Sequence, residues 1–255
     1  MGAMTKKQFN EGLKAILDGG RDIERAADET HYVHVPTGTR LERTTTWLSD
    51  GKPFFLPKQW MGCLAIGSAV DQVIRDYFVD GADSIKFDTY SKHMTRLAYD
   101  QLIEDLVPYA NQLEADGWTV HADRVYLYSL ELGVAGEVDL LLSNDKTKQL
   151  HICDMKTSRA GLSSFSKRWG KGEPTKLEKY TLQVNTYRVM AEEMGGVPVG
   201  ELSLLPLKVY YEAYSDITDE CYFEESIPVQ ILDPLEMKAE HRQKLIEATW
   251  EKLLK

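Results

Sequence analysis

The chain has 255 residues, 43% of them hydrophobic and 27% charged, with 40 acidic against 30 basic side chains and a formal net charge of −10. That composition excludes a disordered chain, a collagen-like repeat and a coiled-coil rod. No apolar run approaches the ~20 residues needed to span a bilayer, so no membrane partner is expected. Proteins that coat nucleic acid without sequence preference are usually basic. Any polyanion binding here must come from a local basic patch or from metal ions. The three cysteines, Cys63, Cys153 and Cys221, lie far apart and form no CxxC pair. Neither a zinc ribbon nor a disulfide framework is expected, and a reducing, intracellular compartment is the default. The first residues, Met1-Gly-Ala-Met-Thr-Lys-Lys, carry no apolar stretch, so no secretory signal is expected.

Residues 5–27 read as a helix, with Phe9, Leu13, Ile16 and Leu17 at helical spacing and Gly19-Gly20 as a stop or interruption. Residues 31–47 read as a hairpin bent at Pro36-Thr37-Gly38, followed by a loop with Pro53 and Pro57. Residues 60–79 form an amphipathic helix, with Cys63, Ile66, Val70, Val73, Ile74 and Tyr77 on one stripe. A further helix is expected over about 91–107, and Pro108 starts a short continuation. The period then changes. Residues 119–131, 134–142 and 149–156 read as three strands, with SNDKTK as the turn between the last two. A Gly- and Lys/Arg-rich connection runs from Ser158 to Gly172. Next come a helix from Pro174 to Met194, strand-like LSLLPLKVYY and ECYFEESIPVQI, and a final helix from Pro234 to Leu254. This order indicates a single α/β or α+β domain built on a mixed sheet. Its parts are an N-terminal helix and hairpin extension (1–60), a core (61–215) and a C-terminal strand and helix (216–255).

The informative segment is Gly136-Glu-Val-Asp139 followed by Asp154-Met-Lys156. If the hairpin tip lies at Lys146-Thr147, Asp139 stands directly opposite Asp154, with Cβ atoms about 5 Å apart. Lys156 then shares the face of Asp154. Glu137 faces Lys156, and His151 points to the other face. Two carboxylates at that distance repel by roughly 3 kcal/mol at an effective dielectric of about 20. A divalent Mg²⁺ or Mn²⁺ between them removes the repulsion and supplies a Lewis acid for a phosphoryl group. Lys156 could orient a water or stabilise charge developing on phosphorus, and the Met155 carbonyl could add a ligand. The plain alternative is a solvated Asp/Lys hairpin face. Leu140, Leu141, Leu142, Ile152 and Cys153 make these strands too apolar for that.

GEVDLLL, HICDMKTS and the later Gln183-Val-Asn-Thr-Tyr187 together resemble the PD-(D/E)XK nuclease superfamily. More narrowly they resemble its RecB-like exonuclease branch, with mitochondrial genome maintenance and viral or phage relatives. The likeness is specific over about 134–190, loose over 31–80 and absent elsewhere. It implies a restriction-endonuclease-like core, a central mixed β-sheet flanked by helices. It implies Asp139 and Asp154 as metal ligands, Lys156 as the catalytic lysine, and Gln183 and Tyr187 as residues that position phosphate or the site framework. Tyr187 also falls on the stripe Tyr180, Val184, Ala191, Met194, which equally describes a core aromatic. Where such proteins carry Gly-x-x-x-His, this chain has Gly67-Ser-Ala-Val-Asp71. Asp71 would be a further oxygen ligand, or simply an edge residue on a surface helix.

Residues 158–179 hold six basic side chains, including Arg159, Lys167, Arg168 and Lys171, against two acidic ones, with Phe165 and Trp169 interleaved. Such a loop suits phosphates and stacked bases, with Thr157 and Ser158 leading into it. The expectation is a Mg²⁺- or Mn²⁺-dependent deoxyribonuclease, an exonuclease acting on single-stranded DNA or frayed duplex ends. The alternatives are a structure-selective endonuclease or resolvase, a silent nucleic-acid-binding protein, or an RNA-processing enzyme.

Overall fold

A computed structural model describes residues 4–49, 61–158, 163, 165–166, 175–211, 221–223 and 230–232. Helix α1 (Lys6–Gly20) opens with a reciprocal capping box between Thr5 and Gln8. It ends at the double glycine, and the chain turns at once into β1 (Ile23–Arg25), where a longer helix was expected. The hairpin of β2 (His31–His34) and β3 (Thr39–Arg43) turns through Gly38 at φ 67°. The expected strand then gives way to a short helix, α2 (Thr44–Leu48). Tertiary contacts override the local β preference of its threonines. Trp47 is buried, and the Thr44 hydroxyl donates to the Ala135 carbonyl at 3.0 Å.

Helix α3 (Met61–Asp80) follows the expected amphipathic stretch. Helix α4 (Arg96–Ala115) starts later than expected, at the cap Thr95, whose hydroxyl accepts from Ala98 N–H at 3.1 Å. It runs straight through Pro108 rather than restarting there. Next come β4 (Thr119–His121), β5 (Val125–Ser129), β6 (Val134–Val138), β7 (Leu140–Asn144) and β8 (Gln149–Ser158). Helix α5 (Lys176–Gly195) has a Thr175–Glu178 capping box and stops at left-handed Gly196. Then follow β9 (Val199–Tyr211), β10 (Cys221–Phe223) and β11 (Gln230–Leu232). The expected final helix and the Pro53/Pro57 loop lie outside the described residues, as does Pro174.

The protein is mixed α/β, with two mixed sheets flanked by helices where one central sheet was expected. One sheet has the order β1-β2-β3-β6-β5, and the other β10-β9-β8-β7-β4 with β11 also on β9. Each contains one parallel pair, β3–β6 and β8–β9. The segments read as single strands over 119–131 and 134–142 are each divided between the two sheets. In the second, the chain bends at Asp139 alone. The first sheet is strongly curled. Rings on β2 and β5 meet across it, Tyr32 with Tyr126 at 5.7 Å and His34 with Tyr128 at 5.0 Å. In a flat sheet β2 and β5 would lie about 14 Å apart, three strand spacings.

Two cores flank the second sheet. Leu141, Leu150, Ile152 and Leu204 pack with residues of α1 and α5. Leu140, Leu142, Cys153 and Met155 pack with residues of α3 and α4. Strands β7 and β8 are covered on both faces, which is why Leu140–Leu142 is an unbroken apolar run and β8 buries every residue from Leu150 to Met155. Among the described residues, no helix is long and apolar enough to cross a membrane.

His151 is one polar exception on β8. It is buried, lies 2.6 Å from the Ser203 hydroxyl through Nε2, and packs edge-on to Trp118. Burial pushes its pKa down to about 4. The fold holds the neutral imidazole, so its contribution is complete above the unfolded value near 6.5. It fades as the pH falls from there toward 4. Urea melts of the wild type and His151→Gln at pH 7 and pH 4 should show the wild type losing about 3 kcal/mol more than the variant.

Candidate active site

Strand β8, helix α5 and strand β9 form a parallel β-α-β unit, so α5 lies across the face of β8 that carries Asp154 and Lys156. The register of β7 on β8 places Leu140 opposite Cys153 and Leu141 opposite Ile152, as the tip at 146–147 requires. Asp139 is the next residue back, at the bend where the chain leaves β6 for β7. Beyond Cys153, β8 has no β7 partner, and the freed Met155 N–H donates to Asp139 Oδ2 at 2.6 Å. A backbone donor left unpaired there would cost about 1–3 kcal/mol. The bend and the carboxylate at it therefore belong together.

Asp154 is almost fully buried. The Lys156 ammonium pairs with its Oδ2, and Gln183 Nε2 reaches its Oδ1 at 3.4 Å. Gln183 also donates to the Tyr187 hydroxyl at 3.0 Å. Both readings of Tyr187 hold together: it is a core aromatic at 3% exposure, and its hydroxyl touches the group that reaches Asp154. Gly136 makes room for it. A Cβ there would lie 2.6 Å from Thr44 Oγ1 and 2.7 Å from Tyr187 Cε1. The Lys156 ammonium sits 5.0 Å from the centre of the Tyr180 ring.

A second cluster approaches from α3. Gly67 packs against β8, where an added Cβ would lie 3.1 Å from Thr157 Oγ1. One turn on, Asp71 Oδ2 accepts from Arg75 Nε at 3.0 Å. Arg75, only 7% exposed, also pairs with Glu137 at 3.1 Å and with Asp139 at 3.3 Å. Glu137 thus meets Arg75, not Lys156 as expected. β6 belongs to the curled sheet and carries Glu137 toward α3. Arg75 was missed by sequence reasoning. Its one signal is the acidic-before-basic spacing with Asp71, which reads as an ordinary helix ion pair.

Burial, against the pull of Lys156 and with the charge of Asp139 added, lifts the Asp154 carboxyl to about 7. Burial and the charge of Asp139 likewise lift Asp71 to about 7. For Lys156, burial favours the neutral amine, but Asp154 and Asp139 outweigh it and hold the ammonium charged. Four carboxylates, Asp71, Glu137, Asp139 and Asp154, thus face two cations, Arg75 and Lys156. Among the described residues, no three His, Cys, Asp or Glu side chains already form a metal-holding set. The donor chemistry nevertheless fits a hard divalent ion. All the candidates are oxygens, two carboxyls are lifted by burial and by the neighbouring Asp139 charge, and buried Asp71 Oδ1 has no hydrogen-bond partner among the described residues.

The fold brings Asp71, Asp139, Asp154, Met155, Lys156, Gln183 and Tyr187 into one continuous neighbourhood. Thr157 and Ser158 end β8 beside it, both half-buried. Arg159, Lys167, Arg168, Trp169 and Lys171 lie outside the described residues. Phe165 is not available to stack on a base. It is 2% exposed, packs edge-on to Tyr180 at 5.3 Å, and its carbonyl accepts from Leu177 N–H. A separate cleft of about 610 Å³ lies between the ends of α1 and α3, lined in part by Arg21, Phe78, His121, Arg124 and Tyr126. None of the site carboxylates lines it.

No protein-family model and no curated protein matches the chain. Among solved structures, the chain is similar over its whole length to 84% of a candidate exonuclease from Eubacterium rectale, at 12% identity and a TM-score of 0.42. It is also similar over 83% of its length to 83% of the protein SSO0001, at 12% identity and a TM-score of 0.27. Likenesses this loose leave the chemistry to be argued from the side chains.

Gly136→Ala tests how closely the site is packed. Its methyl would press on Thr44 and Tyr187 at once, and overpacking of this kind costs about 1–3 kcal/mol. Thermal denaturation should show a drop in Tm of several degrees, and an unchanged Tm would mean that Tyr187 does not pack on this strand.

Proposed function

We propose that the chain is a Mg²⁺- or Mn²⁺-dependent deoxyribonuclease of the PD-(D/E)XK type, in the RecB-like exonuclease branch. It would hydrolyse phosphodiesters at single-stranded or frayed DNA ends. The observation that carries this reading is the meeting of Asp139, Asp154 and Lys156 beneath Gln183 and Tyr187. Asp139 comes from a bend between two sheets, and Gln183 and Tyr187 from a helix about thirty residues downstream of Lys156. An ordinary surface hairpin has no reason to bury an aspartate beside a second one.

In this reading Asp139 and Asp154 hold the ion, with Asp71 Oδ1 and the Met155 carbonyl as further donors. The bound ion would supply Lewis acidity and lower the pKa of a water. Lys156 stays protonated between its two carboxylates, so its role is to stabilise negative charge developing on the phosphoryl oxygens rather than to take a proton. Gln183 fixes the orientation of the Asp154 carboxyl, and the Tyr187 hydroxyl fixes Gln183. The basic connection after β8, with Arg159, Lys167, Arg168, Trp169 and Lys171 and led by Thr157 and Ser158, would carry the phosphate backbone and stack bases. Hydrolysis of this kind is mostly positioning and charge stabilisation.

The test is cleavage of 5′- and 3′-labelled single- and double-stranded DNA with Mg²⁺ or Mn²⁺, with EDTA as control and a circular substrate alongside. Asp154→Asn and Lys156→Ala should each lower the rate by about 10²-fold or more while the circular dichroism spectrum stays that of the wild type. Full activity in either folded variant sinks the role assignment. Cleavage of the circle marks an endonuclease.

A further inference from the structure

We propose that Arg75 is a built-in cation occupying the place of a second metal ion, so that the site takes one divalent ion and no more. The inference rests on the nuclease reading above and refines it. A guanidinium presents its donors in a fixed planar fork; here Nε and Nη2 donate hydrogen bonds, and Nη1 lies beside Glu137 as an ion pair without hydrogen-bond geometry. Nε meets Asp71 Oδ2 at 3.0 Å, Nη1 meets Glu137 Oε1 at 3.1 Å, and Nη2 meets Asp139 Oδ1 at 3.3 Å.

The three carboxylates arrive from α3, from β6 and from the bend after β6. Three carboxylates surround one largely buried guanidinium, a concentration of negative charge that Mg²⁺ or Mn²⁺ could otherwise balance. The guanidinium does so instead. It is charged at every working pH and is tethered to α3. What remains for an ion is Asp71 Oδ1, without a hydrogen-bond partner among the described residues, and the neighbouring pair Asp139 and Asp154. Those oxygens would have to close on the one ion, since among the described residues no three such side chains already form a metal-holding set.

Two consequences follow. The acidic site can fold before metal arrives, because Arg75 already neutralises part of it. Charge on the leaving oxygen would be countered by side chains such as Lys156 rather than by a second ion. Glu137 acquires a role as well: its charge faces Arg75 across the gap between α3 and the curled sheet.

The experiment counts Mn²⁺ bound to the full chain, by calorimetry and by electron paramagnetic resonance of the free ion. The wild type should bind one. Arg75→Ala should bind two, with the magnetic coupling of a close pair. Its metal-free Tm should fall by about 10 °C and recover most of that with saturating Mn²⁺. Arg75→Gln should gain the second ion in the same way and serves if the alanine variant does not fold. Arg75→Lys keeps a charge and should stay at one ion. A wild type that binds two overturns the inference and leaves the nuclease reading intact. A folded Arg75→Ala or Arg75→Gln that still binds one ion makes Arg75 a structural ion-pair partner only and also overturns it. A wild type that binds none and cleaves no DNA removes the nuclease reading itself.

Discussion

The hydrogen bond from Met155 N–H to the Asp139 carboxylate is the contact on which the arrangement depends. It sits where β6 of the curled sheet becomes β7 of the other, and a single residue makes that passage. If the strand had run straight, the pairing with β8 would have continued two residues further, to Val138 opposite Met155, and satisfied Met155 from the backbone. Because the chain bends, a side chain must do so. The side chain that does is an aspartate, and its position brings it beside Asp154. One local event carries the chain from one sheet to the other and assembles the acidic pair.

Around that point the molecule concentrates charge where solvation is poor. Four carboxylates share two cations, and the least exposed of them, Asp154, lies against Lys156 and Gln183. A buried ion pair of this kind contributes little net stability, because taking the charges out of water offsets most of their attraction. The rest of the fold holds them in place: α5 clamps from one side through Gln183 and Tyr187, and α3 from the other through Arg75. Both helices approach closely because Gly136 and Gly67 carry no side chain at the points of contact.

Much of this was legible in the residues. The pairing of β7 with β8 follows from the length of the SNDKTK turn and the alternation around it, so the convergence of Asp139, Asp154 and Lys156 could be stated before any coordinates. The spacing of Gln183 and Tyr187 puts them on one helix face, and they do hydrogen-bond. Other features were not legible. The tract 134–142 is apolar apart from Glu137 and Asp139, because β6 and β7 are each buried in their own sheet, and nothing in that pattern marks Asp139 as a corner. Thr44 to Leu48 reads as strand by composition and folds as helix because Trp47 and Thr44 have tertiary partners. Phe165, which looked like a base-stacking aromatic among lysines, is a core residue held by Tyr180.

The amino-acid sequence by itself determined which side chains could act chemically and which of them share a strand or a helix face. Periodicity and turn length are local properties, and they transmit that information over a few residues. Only the tertiary structure decided which distant groups complete the site. Arg75, sixty-four residues before Asp139, became its partner, and Glu137 turned to Arg75 instead of Lys156. Those choices depend on how two sheets curl and where α3 lands between them. That geometry is set by the packing of whole elements rather than by the preferences of the residues concerned.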